Sequence, residues 1–461
     1  MHDRLAENNM IRYLRALTTL LISAFFSSCL ASNFDGLTRK VDAFIQAHVP
    51  AYYFSGSVLI AKNGEVAFSK SYGMSNYELG TPHTPQTKMR IASLTKHMTA
   101  AAILKLQEDG LLKLSDTVDK FLPDYPHGNK ISIHQLLTHT SGIASEVESL
   151  EDLRVITRGR ISCWDFMKRF QSKALLFEPG SDYWYSNANY VVLTAIIEQA
   201  SGKPYGQYLQ ETLFKPLGMH NTGLDDPTVL LTNRAAGYDP GECSLRNAEY
   251  AWPSNYMGAG GLYSTIEDMG LWITGMHTIL TKKSLETMFY PHVVLETQCA
   301  CYGWFTSAIE GQRMFDFDGY TFGFSSAIIR LPDLAIDIVV LCNFQHGDAP
   351  ALACNIAKII LGKDIPQPAP VVFQDQPLDD RYIGTYRSSD AVIEITKQEG
   401  KLWLDLKEPH RRMCYRLLPI GPDSFVQFGV QKEHLFMCGR GGAEGLKIRE
   451  QGTEIYFKKQ Y

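Results

Sequence analysis

The sequence predicts an α/β protein of the α+β type, in which an antiparallel sheet flanked by helices joins a mostly helical subdomain and a small all-β barrel follows. Three observations predict this fold. An Asn63-Gly64 pair separates two apolar runs near the start of the chain, and such a pair is a strong hairpin signal. A long stretch with helical spacing follows, and strand-like segments return in the last third of the chain. Beyond a Pro-rich segment, short strand-like segments continue to the end.

The first elements follow from the spacing of apolar residues. Phe34–His48 has them at helical intervals, so we expect an amphipathic helix there. Ser57–Ala61 and Val66–Ser69 are the two strands of the predicted hairpin. The next helix is predicted over Ser93–Asp109, with a largely buried face, and Gly110 ends it.

Later elements complete a first domain. Strands are predicted at Ser325–Leu331 and Ile336–Leu341, and pairing with the two N-terminal strands would give one antiparallel sheet covered by helices. The remaining helices are predicted at Ile133–Thr138, Val191–Ser201, Tyr205–Leu213, Thr265–Leu280 and Ala349–Leu361.

Changes in composition divide the chain into four predicted parts. Residues 1–29 are a leader, residues 33–363 the first domain, residues 364–372 a stiff Pro-rich linker, and residues 373–461 a C-terminal β domain. The strand-like segments of the last part are Ile383–Tyr386, Val392–Thr396, Lys401–Leu406, Tyr415–Pro419, Ser424–Phe428, Leu435–Cys438, Gly445–Arg449 and Glu454–Lys458.

Composition and charge exclude several classes of protein. The 461 residues are 45% hydrophobic and 20% charged, an ordinary globular balance that argues against disorder and coiled coils. Lys and Arg total 44 against 49 Asp and Glu, so the broad basic field that a nucleic-acid partner needs is missing. Beyond the leader, no apolar run reaches the roughly 20 residues of a membrane span.

The N-terminus predicts export. Arg12 and Arg15 precede the apolar stretch Ala16–Phe26, and small residues follow, which is the pattern of a secretory signal peptide. Two serines directly before Cys29 also resemble a bacterial lipoprotein box, in which acylated Cys29 would anchor the protein to a membrane. Cleavage after Ala31 is the alternative. We therefore expect a periplasmic protein or a membrane-anchored lipoprotein.

Ser93-Leu94-Thr95-Lys96 is the main chemical motif. A spacing of three places Ser93 and Lys96 on one helix face, about one turn apart. Unpaired N–H groups at a helix N-terminus favour a developing anion, and burial of a lysine favours its neutral amine, a usable base. This combination suits an activated serine nucleophile. By chance alone, a Ser and a Lys at this spacing arise about once or twice in a chain of this size.

Tyr185-Ser186-Asn187 is a second candidate motif, which we place in a loop before the predicted helix Val191–Ser201. A phenol near a lysine can relay a proton, and an Asn amide can bind a substrate carbonyl. Packing and helix capping are the structural alternatives for Tyr185 and Asn187.

Six segments together resemble the serine β-lactamase-related hydrolases, which include class C β-lactamases, D-alanyl-D-alanine carboxypeptidases and esterases. The resemblance covers Phe34–Lys363 and implies a β-lactamase/transpeptidase-like fold, and the C-terminal segment resembles the lipocalin-like barrel appended to many such proteins. In chain order the segments are Ser93–Lys96, Leu136–Ile143, Glu178–Gly180, Tyr185–Asn187, Gly258–Thr265 and Gly319–Phe324.

The resemblance implies a role for each matched residue. Ser93 would form the acyl-enzyme, and Lys96 and Tyr185 would share the proton transfers, with the base not assigned between them. Asn187 would contact the substrate amide. No metal or organic cofactor is implied, the partner would be a small-molecule or peptide substrate, and the motifs assign no oligomeric state.

The resemblance also implies an oxyanion hole made by the backbone N–H groups of Ser93 and of Tyr320, counted from Gly319. One position departs from the family. Relatives carry Lys or His two residues before this glycine, where the chain has Phe317, followed by Asp318. A cation there would bind a substrate carboxylate, so its loss favours neutral esters, amides or an unusual peptide over penicillins and D-Ala peptides.

His139 raises the question of a Ser-His-Asp triad. The resemblance implies a structural histidine instead, because Thr140-Ser141-Gly142 forms a turn after a helix and Lys96 and Tyr185 fill the base role.

The sequence therefore predicts an exported serine hydrolase that forms an acyl-enzyme on an ester, amide, β-lactam or D-Ala-peptide carbonyl. The alternative is a non-catalytic penicillin-binding-like protein that binds cell-wall peptide or a protein partner. Phe317 supports this alternative, whereas intact Ser93, Lys96 and Tyr185 argue against it.

Overall fold

The computed structural model describes residues 34, 36–50, 53–144, 158–240, 245–250, 252–368, 379–389, 391–398, 400–408, 411–427, 430–439, 442–450 and 453–460. The predicted leader with Cys29, and part of the predicted linker, lie outside these ranges. In the described ranges, no helix combines the length and the apolar character needed to cross a membrane.

An eight-stranded antiparallel sheet is the centre of the first domain, as the sequence predicts. The strands of this domain are β1 (Gly56–Lys62), β2 (Glu65–Tyr72), β3 (Met74–Asn76), β4 (Thr81–Pro82), β5 (Met89–Arg90), β6 (Gly223–Leu224), β7 (Tyr238–Pro240), β8 (Leu245–Asn247), β9 (Leu262–Ser264), β10 (Val293–Val294), β11 (Cys299–Ala300), β12 (Phe305–Ile309), β13 (Gln312–Thr321), β14 (Phe324–Leu331) and β15 (Ile336–Cys342). The sheet has the strand order β10-β11-β12-β13-β14-β15-β1-β2, so the N-terminal hairpin pairs with β15, the last strand of this domain.

Helices cover both faces of the sheet, which explains why its central strands are apolar throughout. The described helices are α1 (residues 36–48), α2 (Thr95–Glu108), α3 (Ile133–Leu137), α4 (Cys163–Met167), α5 (Asn187–Ser201), α6 (Tyr205–Leu209), α7 (Lys215–Leu217), α8 (Ile266–Ile279), α9 (Lys282–Met288) and α10 (Ala349–Ile360). Val58 and Val340 lie opposite each other and pack with α1 and α10. Leu59 and Val339 point the other way and pack with α2 and α8, the side on which the candidate site lies.

Four differences from the sequence prediction bear on the site. α2 begins at Thr95, because Ala92–Leu94 forms a 3-10 turn before it, so Ser93 precedes the α-helix and does not lie in its first turn. α5 begins at Asn187, four residues before the predicted start. The predicted helix Tyr205–Leu213 changes to a π-helical segment at Gln210. Strands β10 to β13 were not predicted from the sequence, although β13 carries Gly319.

The C-terminal segment forms a closed antiparallel barrel, and each of its predicted strand-like segments overlaps a strand. Alternate side chains fill its interior, among them Tyr386, Leu404, Phe425 and Phe457. The strands are β16 (Gly384–Arg387), β17 (Val392–Gln398), β18 (Lys401–Glu408), β19 (Arg411–Gly421), β20 (Ser424–Gln427), β21 (Val430–Gly439), β22 (Gly442–Glu450) and β23 (Thr453–Gln460).

One apolar contact joins the barrel to the first domain. Leu418 and Val426 alternate with inward-facing residues, so they lie on the outside of the barrel, yet both are buried. They pack against Leu245 of β8. Asn247, at the end of the same strand, pairs with Tyr238 of β7. The paired strands β7 and β8 of the first domain therefore contact the barrel through Leu245.

Candidate active site

Ser93 lies in the short turn that leads into α2, on a strained backbone. Ala92, directly before it, has a φ of 47°, in the left-handed region that few residues other than glycine adopt. Neighbouring elements hold this segment, because Ser326 Oγ of β14 donates to the Ile91 carbonyl at 2.8 Å and Ile91 N donates to Leu262 O at 3.1 Å. Strain of this kind is concentrated at functional sites, where the surrounding structure imposes it.

Lys96 is fully buried, and its ammonium nitrogen is surrounded by oxygen atoms. Nζ lies 3.0 Å from Ser93 Oγ and donates to Asn187 Oδ1 at 2.8 Å and to the Ala259 carbonyl at 2.7 Å. The helical spacing in the sequence predicts the first contact. The other two come from α5 and from the 3-10 segment Pro253–Ala259, which are distant in the chain.

The chemistry of these three oxygens defines what Lys96 can do. The Asn187 and Ala259 oxygens only accept hydrogen bonds, so each uses one N–H of Lys96. The third direction points at the Ser93 hydroxyl, which can accept or donate. In the ammonium form Lys96 donates to Ser93, and in the amine form its lone pair faces the Ser93 proton. The geometry therefore suits proton transfer between the two groups.

Tyr185 also contacts Ser93 and lies in the loop before α5. Its phenol donates to Ser93 Oγ at 3.3 Å, and Lys96 Nζ lies 5.0 Å from the centre of its ring. Its side chain is 38% exposed, so one side of the site is open to solvent. Tyr185 and Lys96 thus both contact the same hydroxyl oxygen.

Gly319 brings β13 against Ser93. A Cβ atom at this position would lie 2.8 Å from Ser93 N and 2.7 Å from Ile91 O, closer than real Cβ contacts, so only glycine fits. The next residue, Tyr320, is exposed, and its hydroxyl donates to Asp348 Oδ1 at 3.3 Å. The predicted site residues Ser93, Lys96, Tyr185, Asn187 and Gly319 are therefore together, and Tyr320 adjoins them through the backbone.

Phe317 has a core environment. It is buried, and its ring stacks on Phe305 with centroids 5.4 Å apart and planes 6° apart. Asp316, Asp318 and Tyr320 alternate with it and lie on the other face of β13. Burial raises the pKa of Asp316 to about 7, with a further contribution from Asp318. Burial also raises the pKa of Asp318, against the opposing effect of the Lys96 charge.

Sequence reasoning missed several partners of these residues. The Ala259 carbonyl, which accepts from Lys96, is a backbone group with no side-chain signal. Asn189 lies two residues after Asn187 and connects Ser141 with His139 through its amide. The alternation of Phe and Asp at residues 315–318 is the sequence signal from which β13 could have been predicted.

Metal-ligating side chains do not gather in the described part of the chain. There, no group of three or more His, Cys, Asp and Glu residues is arranged to hold an ion. The polar atoms around Ser93 come instead from Lys96, Tyr185 and Asn187, whose chemistry is that of proton transfer and hydrogen bonding.

Comparison with known proteins identifies the family that this chain matches. A model of the Beta-lactamase family matches residues 41–362. Penicillin-binding protein 4* of Bacillus subtilis (strain 168) is 26% identical over 437 residues, 87% of this chain and 94% of that protein. PbpX of the same strain is 33% identical over 246 residues, which cover 52% of this chain and 59% of PbpX. The matched region thus spans about three fifths of the length of PbpX.

A solved structure matches both domains. The octameric penicillin-binding protein homologue from Pyrococcus abyssi superimposes with a TM-score of 0.66 at 25% identity, covering 91% of this chain and all of that one. The first domain, the barrel and their order along the chain are therefore shared with that protein.

Proposed function

The chain belongs to the Beta-lactamase family, and from this premise we propose that it is an exported serine hydrolase that forms an acyl-enzyme on Ser93. The observation that carries the proposal is the position of Ser93 Oγ, 3.0 Å from Lys96 Nζ and 3.3 Å from the Tyr185 hydroxyl. Two proton-transfer groups on one half-buried hydroxyl are what an activated nucleophile requires.

The reaction would proceed by acyl transfer. Ser93 Oγ attacks the substrate carbonyl carbon while its proton moves to the Lys96 amine, and the carbonyl electron pair becomes an oxyanion. Backbone N–H groups of Ser93 and Tyr320 would stabilise that oxyanion, and loss of one such donor typically costs about 100- to 1000-fold in rate. The proton then reaches the leaving group through the Tyr185 phenol as the scissile bond breaks. Water repeats the sequence, releases the acid and restores Ser93.

Intact-protein mass spectrometry tests this proposal. The protein is incubated separately with a fluorophosphonate and with a penicillin, beside a Ser93→Ala control. We expect a fluorophosphonate adduct that the control lacks. A penicillin adduct in addition would extend the substrates to β-lactams. No adduct with either probe would overturn the proposal and favour the non-catalytic, penicillin-binding-like alternative, in which the pocket holds cell-wall peptide or a protein partner.

The substrate that the site fits best carries no carboxylate near the scissile carbonyl. Phe317 is committed to its stack with Phe305, so it supplies no positive charge to the site. Asp318 adds a carboxyl group close enough to interact with Lys96. A substrate carboxylate near Phe317 would be repelled by the Asp318 carboxylate and would have no positive charge to pair with. We therefore propose neutral esters or amides as the substrate class.

A matched pair of esters checks this preference. At pH 8, p-nitrophenyl butyrate should have a kcat/KM at least about 10-fold above that of the p-nitrophenyl monoester of succinate, which has the same chain length and one added charge. The variant Asp318→Asn should reduce the difference in kcat/KM between the two esters. Equal rates for the two esters, after subtraction of the Ser93→Ala background, would contradict the preference.

Export remains part of the proposal. The leader pattern of residues 1–29 supports secretion to the periplasm, and the two serines before Cys29 support a lipid anchor. The mass of the mature N-terminal peptide distinguishes an acylated Cys29 from cleavage after Ala31 and from an uncleaved chain.

A further inference from the structure

His139 holds the backbone on both sides of Tyr185. The Trp184 N–H donates to the His139 carbonyl at 3.0 Å, and the Ser186 N–H donates to His139 Nδ1 at 3.2 Å. One residue thus binds the backbone N–H groups of the residues directly before and directly after Tyr185. The loop that carries the phenol is otherwise exposed, so these two contacts limit where the phenol can lie.

The imidazole ring also packs on the phenol itself. The centroids of the His139 and Tyr185 rings are 4.5 Å apart, with a tilt of 31°. The ring of Tyr190, on α5, also packs on His139, with centroids 5.2 Å apart and a tilt of 33°. Ring contacts of this kind fix orientation as well as position. His139 therefore constrains Tyr185 through both backbone and side chain.

The hydrogen bonds also fix the protonation state of His139. The Ser186 N–H can only donate, so Nδ1 must accept, and the proton of the neutral ring lies on Nε2. The Asn189 amide lies 3.2 Å from the same Nδ1, and its oxygen accepts from Ser141 Oγ at 2.5 Å. Burial, with a further effect from the Lys96 charge, lowers the pKa of His139 to about 3.

The backbone of His139 gives a second sign of a constrained position. Its φ is 59°, in the left-handed region, where only residues such as Asn, Asp and His are at all frequent. It lies directly after Thr138, which caps α3. A strained residue whose buried ring accepts from the Ser186 N–H and packs on Tyr185 is held by the structure against the Tyr185 loop.

We propose that His139 is the positioning residue of Tyr185: its neutral ring and carbonyl hold the phenol at hydrogen-bond distance from Ser93 Oγ. His139 takes no proton in the reaction. This inference rests on the proposed function, because it assigns His139 an effect that reaches the substrate only through Tyr185.

A double-mutant cycle tests the inference. The readout is the rate at which the fluorophosphonate acylates Ser93, followed by intact mass, with melting temperatures measured for every variant. His139→Phe keeps a ring but removes the acceptor for the Ser186 N–H, and it should lower the rate about 10- to 100-fold. In a Tyr185→Phe background the same change should lower the rate less than about 2-fold, because the group that His139 positions is already gone.

A conservative variant keeps the test informative if His139→Phe folds poorly. In His139→Asn, the amide oxygen takes the place of Nδ1 and asparagine tolerates the left-handed backbone. It should retain more activity than His139→Phe. Equal losses from His139→Phe in both Tyr185 backgrounds, or an unchanged rate, would overturn the inference while leaving the acyl-enzyme proposal intact. Absence of any adduct in the wild-type protein would overturn the acyl-enzyme proposal itself.

Discussion

Replacing Lys96 with methionine should lower kcat/KM for a neutral p-nitrophenyl ester by about 100- to 10,000-fold. Methionine has a similar length and fills the same buried space, but it accepts no proton from Ser93. The change also leaves the Asn187 and Ala259 oxygens without the donor that now lies 2.8 and 2.7 Å away. The loss should therefore appear in the acylation of Ser93 by a fluorophosphonate as well as in turnover.

Lys105→Met is the matched control for Lys96→Met. Lys105 lies on the same helix, but it is partly exposed and pairs with Glu108 and Asp109, away from Ser93. Its replacement should leave kcat/KM within about 2-fold of the wild-type value, because surface ion pairs contribute little. A Lys96→Met enzyme that retained a tenth or more of wild-type kcat/KM would show that Lys96 is not the group that takes the Ser93 proton.

The second large effect concerns acid stability, through a histidine that the proposed reaction does not use. His97 is fully buried between two indole rings, with centroids 5.5 Å from Trp272 and 4.8 Å from Trp304. In the part of the chain that the structure describes, neither of its ring nitrogens has a hydrogen-bond partner. Burial, aided by the charge of Arg330, lowers the pKa of His97 to about 3.

The direction of the pH effect follows from proton binding. Below about pH 6.5 the unfolded chain protonates His97, whereas the folded protein does so only near pH 3. Between these values the unfolded state binds the extra proton, so stability is lost as the pH falls. One such group costs about 1.4 kcal/mol for each pH unit across this window.

His97→Phe should remove this penalty. Phenylalanine keeps an aromatic ring between the two indoles and buries no unpaired nitrogen. From pH 7 to pH 5 the variant should lose about 2 kcal/mol less unfolding free energy than the wild type, as measured by urea unfolding at both values. His277→Phe, at an exposed position of α8, should leave the pH dependence unchanged. Parallel pH profiles for His97→Phe and the wild type would contradict this account.

Much of the fold was predictable because its signals are local. The Asn63-Gly64 turn and the apolar runs beside it are sufficient for the first hairpin, and regularly spaced turns are sufficient for the barrel strands. The proximity of Ser93 and Lys96 could also be predicted, because a spacing of three along a helical segment places the two side chains close together before any tertiary contact forms. Pairings between distant strands, such as β1 with β15, were expected only in outline.

The groups that hold these site residues in place could not be predicted, for reasons that the structure makes clear. The first turn of α5 lacks apolar periodicity, because Asn187 and Asn189 bind Lys96 and the Ser141–His139 pair. The apolar pattern therefore predicted that the helix starts at Val191. The Ala259 carbonyl reaches Lys96 from a segment kinked at Met257, whose φ is 38°. Backbone groups placed by such kinks leave no mark in the pattern of side chains.

The pairing of β1 with β15, the first and last strands of the first domain, has a consequence for how the chain folds. Val58 pairs with Val340, so the middle of the sheet cannot close until almost the whole first domain has been synthesised. Contacts between such distant residues slow folding, and until then β1 presents an unpaired apolar edge that invites aggregation. A chain truncated before β15 should therefore remain unfolded. If the chain is exported, as proposed above, slow closure of the sheet would keep it unfolded long enough to cross a membrane.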